Sequence, residues 1–122
     1  MTDEARRIVA LAQSEAIRCR ASEVGAEHLL LALIQDGRSE AADMVRELGV
    51  NLERVRQEIE WKLAPGPGFS GNPPYSAQAQ RLVQAATSMD LLLGILNEPS
   101  GIAFDVLKKL GVTLEALDSG DR

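Results

Sequence analysis

The chain offers little for covalent or metal chemistry: one histidine, His28, one cysteine, Cys19, and eight serines. A metal site needs several His, Cys or carboxylate ligands at fixed spacing, and His28 has no such companions. None of the serines lies in the glycine-flanked elbow that presents a nucleophile. Cys19 falls on an apolar stripe and reads as a packing residue rather than a reactive thiol. The acidic pairs Asp3/Glu4 and Glu58/Glu60 read as solvated helix faces. Catalytic residues, a metal and a cofactor are all expected to be absent. The stretch that stands out is Gly25-Ala26-Glu27-His28, which runs directly into six apolar residues, Leu29-Leu30-Leu31-Ala32-Leu33-Ile34. His28 there reads as a capping or packing residue with a satisfied ring.

The elements that position this stretch are helices. The Leu29–Ile34 run is too short for a bilayer, which takes about 20 apolar residues. It reads as a central helix, apolar all round because neighbours surround it. Ahead of it, Thr2 caps a first helix, with Asp3 and Glu4 on its positive end. Ala5, Ile8, Val9, Ala12, Ala16 and Cys19 form that helix's inner stripe, and Arg6, Arg7, Gln13, Glu15, Arg18 and Arg20 take the outside. The second helix is predicted from about Ala26 to Asp36-Gly37, where glycine supplies the cap. Ser39 caps a third helix with Ala41 or Ala42, Met44, Val45 and Leu48 inward. Asn51 caps a fourth with Leu52, Val55, Ile59 and Leu63 inward, and Trp61 near its end reads as a partly covered packing residue, with an exposed binding aromatic as the alternative.

Four of the five prolines and three glycines crowd into the eleven residues from Ala64 to Pro74. That is a linker, with Phe69 as the residue to pin it to the surface. It is not a phosphate cradle, since the lysine and following helix are missing. Beyond it, Ser76 caps a new helix with Ala79, Leu82, Val83 and Ala86 on one face.

The second part repeats the first. Ala5-Arg6-Arg7-Ile8-Val9 matches Ala79-Gln80-Arg81-Leu82-Val83 at an offset of 74, and Leu29 to Glu53 matches Leu91 to Glu115 at an offset of 62. The second copy is thus twelve residues shorter. The shortfall is expected between Thr87 and Met89, removing the counterpart of Gly25–His28. The fourth helix of that copy is expected to be barely present, with a tail from Asp118 too polar to pack. The expected architecture is all-α: a duplicated four-helix motif with pseudo-twofold symmetry, its second repeat truncated. It forms one domain over 1–122, with repeat one at 2–63, a linker at 64–75 and the shortened repeat at 76–118.

Composition narrows the function classes. The 122 residues suit one domain, 45 % hydrophobic and only 3 % aromatic, so the core is aliphatic. A net charge of −5 with no basic block argues against nucleic acid and against an anionic membrane surface. A single cysteine excludes an internal disulfide and fits a reducing, cytoplasmic setting. Met1-Thr2-Asp3-Glu4 is no signal-peptide opening.

With the duplication in view, the sequence resembles the amino-terminal domain of Clp-type AAA+ unfoldases, the ClpC and ClpA group. There, two copies of a four-helix motif each carry Gly-Thr-Glu-His-Leu-Leu-Leu-Gly-Leu or a variant of it. Here the first copy reads Gly25-Ala26-Glu27-His28-Leu29-Leu30-Leu31-Ala32-Leu33. Ala10–Ala16, Leu48-Gly49-Val50, Tyr75-Ser76 and Val106–Val112 are family-like as well, so the resemblance runs from about Asp3 to Leu117. The family's threonine is Ala26, and no ATPase motif is present. The resemblance implies a module that recruits substrate or adaptor proteins to a Clp unfoldase or protease. In the ClpC branch it also implies that Glu27, at the glutamate's position, helps hold phosphoarginine. A carboxylate can grip a guanidinium bidentately, and free N–H groups at a helix start can receive a phosphate. Gly25, Ala26 and Glu27 would then form one recognition surface.

Alternatives stay open. Glu27 could serve only to stabilise the helix start. The chain could be a free-standing decoy that sequesters substrates, adaptors or toxic ligands without an ATPase. A small hydrolase or transferase on a borrowed fold would need a polar pocket of convergent groups. The truncation also raises the expectation of apolar surface uncovered beside Leu91–Leu96, and of a homodimer formed through it.

Overall fold

The computed structural model describes residues 2–63, 66, 68, 71–98 and 101–119, and only the backbone of the last two of these. Among the described residues it holds eight helices: α1 (Asp3–Arg18), α2 (Ala26–Asp36), α3 (Glu40–Glu47), α4 (Leu52–Lys62), α5 (Ala77–Leu82), α6 (Ser88–Leu96), α7 (Ile102–Lys109) and α8 (Leu114–Ser119). Among the described residues the only extended pairing is a single parallel bridge between Val24 and Tyr75.

Local chemistry fixes most of the helix starts. Side-chain oxygens accept backbone N–H groups at Thr2 (from Ala5), Ser39 (from Ala42), Asn51 (from Glu53 and Arg54), Ser76 (from Ala79) and Thr87 (from Asp90). α2 ends where Gly37 turns left-handed at φ 66°.

α2 is the axis of the packing. Its residues from His28 to Ile34 are all buried, with Leu29, Leu30, Leu31, Ala32 and Leu33 fully so. α1, α3, α4, α5, α6 and α7 all meet it. Its counterpart α6 buries Leu91, Leu92, Ile95 and Leu96. The halves contact each other reciprocally: α2 meets α7 as α6 meets α3, and α1 meets α6 as α5 meets α2. Such exchange of roles is what a two-fold relation produces. The expected all-α, duplicated architecture with a reduced second copy is therefore present.

A polar joint ties the two copies at the start of α6. The buried Ser88 hydroxyl donates to the Glu4 carboxylate and accepts the Ala41 N–H at 3.2 Å, and Glu4 also accepts the Glu40 N–H at 3.3 Å. Asp36 is held nearby through a bidentate contact with Arg7, at 2.9 and 3.2 Å. That guanidinium keeps the Asp36 carboxyl below its ordinary range.

Several expectations need correction. Glu15, placed outside, is buried and paired with Arg18 at 2.6 Å. Trp61 is not partly covered but 87 % exposed. It stands two residues from both Ile59 and Leu63, so it points away from the face they share. The missing residues do not fall between Thr87 and Met89. α5 has six residues against sixteen in α1, and the connection 83–87 is shorter than 19–25 by the rest. Ala86, expected on the inner face, lies in that connection and is exposed. α6 keeps a capped start, so the counterpart of Gly25–His28 is replaced by Thr87-Ser88-Met89-Asp90 and not deleted. Leu91–Leu96 is not laid bare, because Leu91, Leu92, Ile95 and Leu96 are covered within the single chain. The backbone of Asp118 and Ser119 continues α8. Phe69 and residues 120–122 lie outside the described residues.

Two outcomes follow. Leu31→Asp places an unpaired charge at a fully buried position, a cost of several kcal/mol against a total stability of about 5–15 kcal/mol. The helical circular-dichroism signal at room temperature is expected to be largely lost, and a native melting transition would refute the interior placement. Trp61, the only tryptophan, is expected to emit like free indole and to be quenched by acrylamide to a similar degree. A blue-shifted, protected emission would show that it is covered.

Candidate functional site

α1 ends in a Schellman turn: Ala21 N–H bonds to Ala16 C=O at 2.9 Å and Arg20 N–H to Ile17 C=O at 3.0 Å. The left-handed position of such a turn is usually glycine. Here it is Arg20, at φ 59°, the one described non-glycine residue with positive φ. Holding an L-residue there costs roughly 1–2 kcal/mol.

The chain then reaches Val24, which is strapped to the segment before α5. Val24 N–H bonds to Pro74 C=O at 2.7 Å, and Ser76 N–H returns to Val24 C=O at 2.8 Å. Gln13 Nε2 adds a bond to Pro73 C=O at 2.7 Å. These bonds fix where α2 starts.

Gly25 is the N-cap of α2 and has no side chain with which to cap. His28 does the work from inside: its Nδ1 accepts the Gly25 N–H at 2.9 Å. An Nδ1 that accepts carries no proton, so the neutral ring bears its hydrogen on Nε2. His28 is 2 % exposed, and Nε2 has no partner among the described residues. The ring expected to be satisfied is thus satisfied on one side only. Burial pushes the His28 pKa below its ordinary value, against the opposing pull of the Glu27 and Glu15 carboxylates.

Gly25 has an ordinary extended backbone at φ −109°, and what it contributes is space. A Cβ there would lie 2.6 Å from Glu27 Oε1. The Glu27 carboxylate is folded back over the start of its own helix. Ala26 and Glu27 N–H groups have no hydrogen-bond partner among the described residues.

A cleft of about 260 Å³ opens at this point, lined by Cys19, Arg20, Ala21, Ser22, Glu23, Glu27, His28, Leu63 and Gly66. The three residues proposed from the sequence are brought together, but in different roles. Glu27 is on the wall, while Gly25 and Ala26 are buried beneath it. Sequence reasoning missed Arg20 and Glu23. The signal for Arg20 was an arginine at the helix end where a glycine would be favoured.

Charge pairing sets this cleft apart from its surroundings. Arg18 bonds Glu15 and Glu60 at 2.6 and 2.8 Å, and Glu60 also meets Arg56 at 3.5 Å. Arg20, Glu23 and Glu27 form no ion pair among the described residues. The cleft lining therefore includes two carboxylates and one guanidinium without an ion-pair partner among the described residues. Cys19 is not activated as a nucleophile in it, since burial raises its thiol pKa and favours the protonated form. No group of three or more His, Cys, Asp or Glu among the described residues could hold a metal ion.

The matching place on α6 has different chemistry. Met89 stands where Glu27 stands in the first copy, and Asp90 where His28 does. The nearby cleft is lined by Arg81, Leu82, Gln84, Ala85, Ala86, Asp90 and Gly94. Its arginine is engaged, since Arg81 bonds both oxygens of Glu98, at 2.7 and 3.2 Å.

Comparison with known proteins bears on the fold and the family. In its backbone the chain is similar to the Hsp104 N-terminal domain from Candida albicans, with a TM-score of 0.76, 19 % identity, and coverage of 98 % of this chain and 87 % of that one. That likeness concerns the fold. In sequence, it is 33 % identical over 127 residues to the negative regulator of genetic competence ClpC/MecB of Bacillus subtilis, covering 93 % of this chain. It is 35 % identical over 123 residues to the chloroplastic chaperone ClpC1 of Arabidopsis thaliana, covering 90 %. The chain spans only 15 % and 13 % of those two relatives. The family model described as the Clp repeat (R) N-terminal domain matches residues 1–90. With three quarters of its length so matched and its helices arranged in the same way, the chain belongs to the Clp repeat N-terminal domain family.

Proposed function

We propose that this domain is a protein-interaction module that recruits substrate or adaptor proteins to a Clp unfoldase or protease in the cytoplasm, and that it recognises phosphoarginine through the Glu27 cleft. The observation that carries this reading is the unpaired trio of Arg20, Glu23 and Glu27 on one cleft wall. Phosphoarginine holds a cation and an anion a few bonds apart. Its guanidinium suits Glu27 and Glu23, which accept bidentate N–H bonds. Its phosphoryl oxygens suit Arg20 and the unpartnered N–H groups at the start of α2. No catalytic step is assigned to the chain, and no nucleic acid or membrane is a partner in this reading. No described helix is long and apolar enough to cross a membrane.

The strained backbone of Arg20 supports the same reading. A glycine would relieve the strain, so the arginine stands there at a cost in stability. Sequestration by a free-standing decoy would use the same contact, and would differ only in what the domain is joined to.

Isothermal calorimetry with a phosphoarginine peptide tests the proposal, with the unphosphorylated arginine peptide as control. Glu27→Ala is expected to weaken binding by about tenfold or more, the scale of a lost charge-assisted contact, without loss of helicity. Gly25→Ala is expected to weaken it as well, by driving the Glu27 carboxylate from its place. Equal affinities for wild type and Glu27→Ala would remove this cleft from recognition. Arg20→Gly is expected to separate two properties that usually fall together. Its melting temperature rises by a few degrees, for roughly 1 kcal/mol of relieved strain, while its affinity for the phosphorylated peptide falls. A variant that gains stability and binds as before would show that Arg20 takes no part.

A further inference from the structure

The His28 ring is buried at the cleft and takes no part in the contacts assigned above to a ligand. It is covered, its Nδ1 is committed to the Gly25 N–H, and its Nε2 has no hydrogen-bond partner among the described residues. Gly25 in turn is the floor on which the Glu27 carboxylate rests, close enough that one methyl group would displace it. A chain of three residues thus runs from the imidazole to the cleft wall.

We propose that His28 is the positioning residue of the cleft: its neutral ring holds the Gly25 N–H and so keeps the Glu27 carboxylate in place, and protonation of the ring releases that grip. This inference rests on the reading of the cleft as a site for a guanidinium group. The step is a single proton transfer from solvent to Nδ1. The protonated Nδ1 becomes a donor facing another donor, the Gly25 N–H, and the two can no longer bond. The N-cap must then move, and the carboxylate above it moves too.

The surroundings set the direction. From α1, Glu15 and Arg18 act on the ring by charge; from the connection, Glu23; and from α2 itself, Glu27. Cys19 and Arg20 share the cleft. The three carboxylates favour the charged ring and Arg18 opposes it, but burial is the largest influence and favours the neutral form. The folded chain therefore binds the proton less readily than the unfolded one does. Stability is complete above the ordinary histidine value of 6.5 and declines as pH falls below it.

The test uses the whole chain and a substitution that keeps the acceptor but does not titrate. Glutamine at the third helical position reaches back to the N-cap N–H in capping boxes, so His28→Gln retains the bond. His28→Asn is the second variant should the first pack poorly. Affinity for a phosphoarginine peptide is measured from about pH 7.5 to about pH 5, together with the Gly25 and Glu27 amide resonances and the His28 ring protons. The ligand's own titration is common to both proteins and cancels in their ratio.

Wild-type affinity is expected to fall roughly threefold or more beyond that of His28→Gln, as the competent fraction shrinks. The two amides are expected to shift with the ring's midpoint in wild type only. Parallel loss of affinity in both proteins, or amides that ignore the ring's titration, would overturn the proposal. If neither protein binds the peptide near neutral pH, the phosphoarginine reading fails by itself. The amide shifts then decide whether His28 holds the cleft wall.

Discussion

The structure depends on one constraint: a helix that is apolar on every face must be covered on every face. The Leu29–Ile34 run has no polar side to give to solvent, so α2 is stable only when helices from both copies surround it. One four-helix copy cannot supply that shell. α7 and α5 close it from the second half, and α6, apolar in the same way, draws α1 and α3 in return. The duplication is thus a solution to burial. Removing the second copy would expose the first copy's most hydrophobic element to water.

The same constraint decides where the polar chemistry can be. A central helix meets solvent only at its ends, and the α2 N-terminus is the end where unsatisfied N–H groups and a partial positive charge collect. There the backbone is fixed from three sides: the Schellman turn closing α1, the bridge to Tyr75, and the imidazole beneath Gly25. The result is a rigid frame around Glu27. Near it, the Arg18 pairs match cations and anions at 2.6 to 2.8 Å. Arg20 and Glu27 depart from that habit within a few residues of it.

Much of this was legible from residue types because the signals are local. Ser39, Asn51 and Ser76 announce their helices by capping chemistry that needs only the next three residues. The α2 limits were equally plain, with an apolar run ending at Asp36-Gly37. What escaped depended on distant neighbours or broke a local rule. Glu15 carries the formal character of a surface residue, yet Arg18 and the packing of α1 on α2 make a buried place for it. The shortfall in the second copy was placed by matching letters, whereas Thr87 starts α6 by its hydroxyl and leaves the loss to α5. Arg20 was passed over because a left-handed arginine contradicts propensity. Such contradictions concentrate where binding is built.

The replacement of Glu27 by Met89 across the two-fold relation has a consequence for valency. A symmetric domain would be a two-handed receptor, able to hold two marks on one client and to gain from their proximity. With an acidic wall in one copy and a thioether in the other, the reading proposed above gives the chain one hand only. On that reading avidity would come from gathering several copies of the domain, and selectivity for densely marked clients would belong to the assembly rather than to the individual module.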